Sequence, residues 1–251
     1  MYALITGASS GIGQEFARQL AAKHYDLILV ARRKDRLLEL KKELSLHYSI
    51  HVKILSVNLS DREQCILLHK KVQHHPISLV INNAGFGKAD EFTNIALSDE
   101  LEMIDTNVVA VHTLTKLFAK SMKHGYILNV ASIAAFTPVP MMATYGATKA
   151  YVLHLSRAIN YELRKHKKRI RVVTLCPGPV KTEFNQVAGV TYDLKGISAS
   201  SCVRIALQEL SKGKELIIPS ATTKTMHCLL KIVPSFLALP VEYILQSKKL
   251  V

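Results

Sequence analysis

The sequence lacks tryptophan entirely and has only four cysteines in 251 residues. Cys65, Cys176, Cys202 and Cys228 are scattered, with no C-x-x-C pair and no histidine at metal-ligand spacing. A disulfide scaffold and a zinc site are both excluded by that pattern, and a reducing compartment is expected. No basic stretch followed by an apolar one opens the chain, so a secretory signal is not expected. No run of about 20 apolar residues is present either. Met226–Leu250 comes nearest, but Pro234 and Pro240 interrupt it and Lys231 and Glu242 charge it. Internal repeats and low-complexity linkers are missing, which leaves a single domain over 1–251. Despite a formal charge of +14, no basic–aromatic interleaving or zinc-finger spacing accompanies the Lys and Arg clusters, so nucleic acid is not an expected partner. Those clusters (Arg32-Arg33-Lys34, Lys41-Lys42, Lys70-Lys71 and Arg164 to Arg171) read mostly as solvated helix faces, with anionic partners as the lesser alternative.

What is present is ordinary globular composition, 49% apolar and 21% charged, arranged in strict alternation. Tyr2–Thr6, Asp26–Ala31, His51–Val57, Ile77–Ile81, Tyr126–Ala131, Ile170–Cys176 and Leu216–Ile218 are short apolar runs of strand type. Between them Gln14–His24, Lys34–His47, Asp61–Gln73, Ser98–His124, Thr144–Lys168 and Ser200–Lys212 carry apolar residues at helical period, with Ser98 as an expected N-cap. Alternation with continuously apolar strands specifies a parallel sheet covered on both faces and doubly wound. Ligands bind beyond the carboxyl ends of such strands. Gly7–Gly13, Asn82–Gly85, Ser132 and Pro177–Thr182 all lie there. The irregular segment from about 183 to 199 on the same edge is expected to be a substrate loop. The apolar tail, 226–250, has three open readings: a pocket cover, a dimer surface, or a segment lying on a membrane face.

The first turn, Gly7-x-x-x-Gly11-x-Gly13, lets backbone approach a pyrophosphate at the positive end of the following helix. At the end of the second strand there is no carboxylate to hold a ribose hydroxyl. Arg32 stands 19 residues after Gly13 with Arg33 beside it, and a guanidinium fork suits a 2′-phosphate, so NADPH is expected over NADH. Tyr145 and Lys149 are four residues apart, hence on one helix face. A nearby ammonium favours phenolate, so the phenol is expected below its usual pKa of about 10 and able to exchange a proton with a substrate oxygen held by Ser132.

Taken together, Thr6-Gly-Ala-Ser-Ser-Gly-Ile-Gly13, Asn82-Asn-Ala-Gly85, Asn107, Ser132, Tyr145-x-x-x-Lys149 and Pro177-Gly178 resemble the short-chain dehydrogenase/reductase family in order and spacing over roughly residues 1–218. The resemblance implies an α/β fold: a Rossmann-type doubly wound seven-stranded parallel sheet with helices on both faces, here with an apolar C-terminal helical extension. It implies hydride transfer between a nicotinamide and a carbonyl or alcohol, with Tyr145 as general acid/base. Lys149 would hold the nicotinamide ribose, Ser132 would orient the carbonyl oxygen, and Asn107 would bend its helix and hold a water leading to Lys149. Cofactor contacts would come from Gly7, Ser9, Ser10, Gly11, Ile12, Gly13, Arg32, Arg33, Asn58, Leu59, Asn83, Ala84, Gly85, Tyr145, Lys149, Pro177, Gly178, Val180 and Thr182. Two positions depart from the family pattern: Ser10 stands where NADP-using members often carry a base, and Asn58 replaces an adenine-contacting Asp. Loose likeness of the tail to the 3-oxoacyl-CoA and 17β-hydroxysteroid reductase branch implies a small apolar carbonyl substrate, fatty-acyl or steroid-like. The remaining expectations are a homodimer or homotetramer, cytoplasmic, with peripheral membrane contact through the tail as an alternative, and a non-catalytic dinucleotide sensor as the rival reading.

Overall fold

The computed structural model describes residues 1–190, 196–220, 223–225 and 235–247. Residues 191–195 of the expected substrate loop, and 226–234 and 248–250 of the expected tail, lie outside the described residues. Seven parallel strands form one sheet: β1 (Tyr2–Thr6), β2 (Asp26–Ala31), β3 (Val52–Ser56), β4 (Ile77–Asn82), β5 (His124–Val130), β6 (Arg169–Leu175) and β9 (Leu216–Ile217), in the order β3-β2-β1-β4-β5-β6-β9. The order reverses between β1 and β4, so the two halves diverge there and open a crevice at the strand ends.

Alternation along each strand divides the core. Ile5, Leu27, Leu29, Ile81, Leu128 and Leu175 face one layer, packed under α1 (Gly11–Ala21), α2 (Lys34–His47) and α8 (Ala199–Ser211). Leu4, Ile28, Val30, Val80, Ile127 and Val172 face the other, under α3 (Arg62–Val72) and α5 (Ala110–Ser121). Strands buried on both faces need crossovers that supply helices to both, and the doubly wound sheet supplies them. Cys65, Cys176 and Cys202 are buried free thiols, Cys202 in the first layer and Cys65 in the second.

Element boundaries depart from expectation in instructive places. The segment expected as one helix from Ser98 to His124 is α4 (Leu97–Ile104), a π-turn at Asp105–Val109, and α5. Its N-cap is Ala96, not Ser98, which lies inside the first turn. Asn107, fully buried in the π-turn, is the reason for the break: a π-turn admits an extra residue and turns that side chain inward. The helix ends at Ser121 because Met122 is extended, and β5 starts at His124, two residues before expectation. Helix α1 begins at Gly11, three residues early, and ends at Ala21, because the chain leaves it through His24 at φ 60. The region after β6 holds a two-strand pair not foreseen, β7 (Val180–Lys181) with β8 (Ile197–Ser198), and a short helix α7 (Phe184–Ala188). Two further helices are α6 (Ala143–Lys165) and α9 (Ser235–Ser247). No helix among the described residues is long and apolar enough to cross a membrane.

Candidate active site

A cavity of about 850 Å³ runs along the strand ends at the switch point. Its floor at one end is the turn from β1 into α1. Gly7 sits at φ +65, and a Cβ there would lie 2.8 Å from the Ala84 Cα; a Cβ on Gly13 would lie 2.2 Å from the Gly7 carbonyl oxygen. Only glycines close this turn so tightly, and the first N–H groups of α1 are thereby brought to the cavity. Asn83 fixes the turn from the side. Its Nδ2 donates to the carbonyls of Thr6 (3.0 Å) and Gly7 (3.2 Å), while the Asn83 and Ala84 N–H groups donate to Thr6 Oγ1. Gly7, Ser9, Ser10, Gly11, Ile12, Ala84 and Gly85 line the cavity, and Gly13 packs behind it.

The two arginines after β2 take different partners. Arg32 is 63% exposed and pairs with Glu102 at 2.6 Å. Arg33 instead reaches the glycine-rich turn, donating to Ser9 Oγ (3.3 Å) and Ser10 Oγ (2.9 Å), and to Glu183 at 3.1 Å. Both arginines line the cavity, with Asn58 and Leu59 beside them. Asn58 Oδ1 accepts from the Ser60 N–H and hydroxyl, shaping the turn after β3.

Ser132 follows β5 directly and caps a 3₁₀ turn (Ile133–Ala135), its Oγ accepting from the Ala134 N–H. Ile133 N–H donates to the Pro177 carbonyl, which binds this turn to the Pro177–Gly178 loop after β6. Tyr145 and Lys149 lie in the first two turns of α6, both buried and both lining the cavity. Lys149 Nζ donates to the Val130 carbonyl at 3.0 Å and stands 5.7 Å from the Tyr145 ring centroid. Pro177, Gly178, Val180 and Thr182 complete this wall, and Phe184 packs on Tyr145 with ring centroids 5.4 Å apart.

Electrostatics overturn one expectation. Burial pushes the Tyr145 phenol up to about 12, outweighing the hydrogen bond with Ser132 that pulls it down. Burial also pulls the Lys149 ammonium down to about 8, against a smaller opposite effect of Cys176. The ammonium donates to the Val130 carbonyl and lies over the Tyr145 ring, and desolvation of the phenolate is the larger influence on Tyr145. As placed, Tyr145 holds its proton across the physiological range and is poised to donate it.

Asn107 does not face the cavity. Its Nδ2 donates to the Phe86 carbonyl (2.8 Å) and Thr148 Oγ1 (3.1 Å), and its Oδ1 accepts from the Phe86 N–H (3.1 Å). Sequence reasoning missed Thr148, and also Glu100, a buried carboxylate accepting from Thr144 Oγ1 at 2.5 Å beside Tyr145. It missed Glu183 as well, though the acid's place directly after Thr182 on the ligand edge was the available signal. Beyond Tyr145 the cavity wall turns apolar, with Ile133, Val139, Met142, Phe184 and Val187, and Glu242 and Gln246 of α9 also line the cavity.

Comparison with known proteins bears on the family and the fold. A family model described as short chain dehydrogenase matches residues 1–192. The chain is 30% identical over 196 residues to a hydroxysteroid dehydrogenase-like protein 1 of Gallus gallus, covering 76% of this chain and 59% of that protein. It is 33% identical over 184 residues to a very-long-chain 3-oxoacyl-CoA reductase of Kluyveromyces lactis, covering 68% and 53%. The chain thus spans a little over half the length of these relatives. Among solved structures, a short-chain dehydrogenase from Sphingobium yanoikuyae in complex with NADPH superposes with a TM-score of 0.82 at 30% identity, covering 93% of this chain and 96% of that one.

Proposed function

This chain belongs to the short-chain dehydrogenase family, and we propose that it is an NADPH-dependent reductase of ketones or aldehydes carried on an apolar skeleton, fatty-acyl or steroid-like. The observation that carries the proposal is the convergence of Ser132, Tyr145 and Lys149 on one cavity with the glycine-rich turn. The residues fit a dinucleotide: Gly7 and Gly13 let the turn close where a Cβ would collide with backbone, α1 offers its N-terminus, and Arg33 sits over Ser9 and Ser10. Gly7, Ser9, Ser10, Gly11, Ile12, Asn83, Ala84 and Gly85 would hold the pyrophosphate side. Arg32 and Arg33 would hold the 2′-phosphate, Asn58 and Leu59 the adenine side, and Lys149, Pro177, Gly178, Val180 and Thr182 the nicotinamide side. Bound there, reduced nicotinamide supplies hydride to a carbonyl carbon.

The chain's own residues supply the rest. Ser132 and Tyr145 donate two hydrogen bonds to the carbonyl oxygen, and Tyr145 gives up its phenolic proton as that oxygen becomes a hydroxyl. Lys149, a cation next to the phenol, stabilises the phenolate left behind until it is reprotonated. Asn107 acts behind the site, through Phe86 and Thr148, and a water held there would connect Lys149 to solvent. The apolar wall from Ile133 to Val187 favours a hydrocarbon substituent, and the names of the two curated relatives support the same substrate class. An intact and convergent Ser-Tyr-Lys set speaks against a non-catalytic sensor.

Partners follow from surface chemistry. Leu97, Leu101 and Ile104 form an exposed stripe on α4 that suits a homodimer or homotetramer, and Val241, Tyr243 and Ile244 are exposed on α9, where the tail would touch a membrane. Screening NADPH and NADH oxidation against apolar ketones of graded length tests the function. Consumption that requires the ketone, rises with its apolar length and is faster with NADPH is expected; no turnover with any ketone would reject it.

A further inference from the structure

Glu183 lies between the two halves of the proposed site. It follows Thr182 and opens the segment that carries Phe184 and Val187 to the apolar wall, yet its side chain turns the other way, toward the basic end of the cavity. There Arg36 donates to Oε1 at 2.5 Å and Arg33 to Oε2 at 3.1 Å. The carboxylate accordingly lies below its usual range, the Arg36 hydrogen bond being the larger cause. All three guanidinium nitrogens of Arg33 donate in this arrangement: Nε and Nη2 serve Ser9 and Ser10, and Nη1 serves Glu183. Arg33 is also the arginine that stands at the glycine-rich turn. A phosphate and a carboxylate ask for the same planar fork of donors.

We propose that Glu183 is a specificity-determining residue: its carboxylate competes with the cofactor 2′-phosphate for Arg33, so that the phosphate of NADPH, unlike the hydroxyl of NADH, leaves the Phe184–Ala188 segment of the substrate wall fastened through Arg36 alone. The inference rests on the NADPH reading above. It makes the anion at one end of the cavity a condition for movement at the other, because the backbone carbonyl of Glu183 accepts from the Val187 N–H and starts α7. Phosphate binding then loosens the segment and admits the substrate, whereas a cofactor without the phosphate leaves it fastened through both arginines.

The test uses two nucleotides that differ at the 2′ position only, adenosine 2′,5′-bisphosphate and 5′-AMP. Calorimetry on wild type, Glu183→Gln and Glu183→Asp is combined with amide exchange over residues 184–188. Wild type should prefer the bisphosphate. Glu183→Gln should bind it on the order of three- to tenfold tighter, as expected for release from an exposed ion pair, with 5′-AMP within about twofold. Glu183→Asp should shift the same way by less. Exchange over 184–188 should rise when wild type binds the bisphosphate, and should already be high and unresponsive in Glu183→Gln. Unchanged or weaker bisphosphate binding in Glu183→Gln would overturn the proposal while leaving the cofactor reading intact. So would tighter binding with no nucleotide-dependent change in exchange, since a through-space charge effect would then suffice. Equal wild-type affinity for the two nucleotides would overturn the cofactor reading and this inference with it.

Discussion

Asn107 Nδ2 donates to Thr148 Oγ1 at 3.1 Å, and Thr148 Oγ1 in turn donates to the Tyr145 carbonyl at 2.7 Å. A buried amide in the π-turn between α4 and α5 is thus tied to the helix turn that presents Tyr145 and Lys149. The same amide holds both backbone groups of Phe86. The π-turn is therefore part of the site's construction, since a regular helix would not turn this side chain to both partners.

Asn107→Leu keeps the volume and removes the three bonds that the amide itself makes. It strands the half-buried Phe86 backbone groups, at about 1–3 kcal/mol for each unsatisfied group before relaxation, while the Thr148 hydroxyl keeps its bond to the Tyr145 carbonyl. The denaturation midpoint should fall by an amount equivalent to about 3 kcal/mol with the slope unchanged. A loss under about 0.5 kcal/mol would mean that other groups satisfy the Phe86 backbone.

Arg33 and Arg32 should separate in binding measurements. Arg33→Gln removes the guanidinium at Ser9 and Ser10, and charge-assisted bonds of this kind are worth about 1.5–3 kcal/mol. NADPH affinity should fall on the order of tenfold or more, with NADH little affected. Arg32→Gln, whose partner is Glu102 on α4, should cost less. A larger NADPH loss from Arg32→Gln would return the phosphate to Arg32.

Lys149 should leave a signature in stability against pH. Its folded value lies near 8, below the ordinary 10.5, so the unfolded chain binds more protons between those limits and stability rises with pH across them. Below about pH 8 the folded protein carries the whole cost of a buried ammonium. Wild type should therefore gain on Lys149→Met by on the order of 2 kcal/mol as pH is raised from about 8 to about 10, read from urea midpoints. Tyr145 is common to both proteins and largely cancels. A difference that does not vary with pH would show that burial does not depress the ammonium.

The sheet was legible in the sequence because each of its long strands is apolar on both faces, so that Leu4 and Ile5, or Ile28 and Leu29, find cores on opposite sides. The glycine-rich turn and the Tyr145–Lys149 spacing were legible because their geometry is local. Long-range polar pairs were not. Glu183 meets Arg33 across 150 positions and Glu100 meets Thr144 across 44, distances over which composition and periodicity carry no signal. Asn107 announced an irregularity in a long helix, but where its amide would go depended on Phe86. Arg32 and Arg33 are neighbours, and only the geometry at the end of β2 sends Arg33 to the turn and Arg32 to Glu102. The expected depression of the Tyr145 pKa failed for a related reason. Spacing brought the ammonium close, while the desolvation that outweighs it is a property of the assembled core.

Tyr145→Phe removes one oxygen from the cavity and leaves the glycine-rich turn, the arginines and Lys149 in place. With a ketone shown to support NADPH oxidation by wild type, steady-state turnover and direct NADPH binding should be measured together on this variant. NADPH affinity within a few fold of wild type and kcat reduced by on the order of a thousandfold or more is the predicted result. A variant that retained the wild-type kcat would contradict Tyr145 as the proton donor and, with it, the mechanism built on this site.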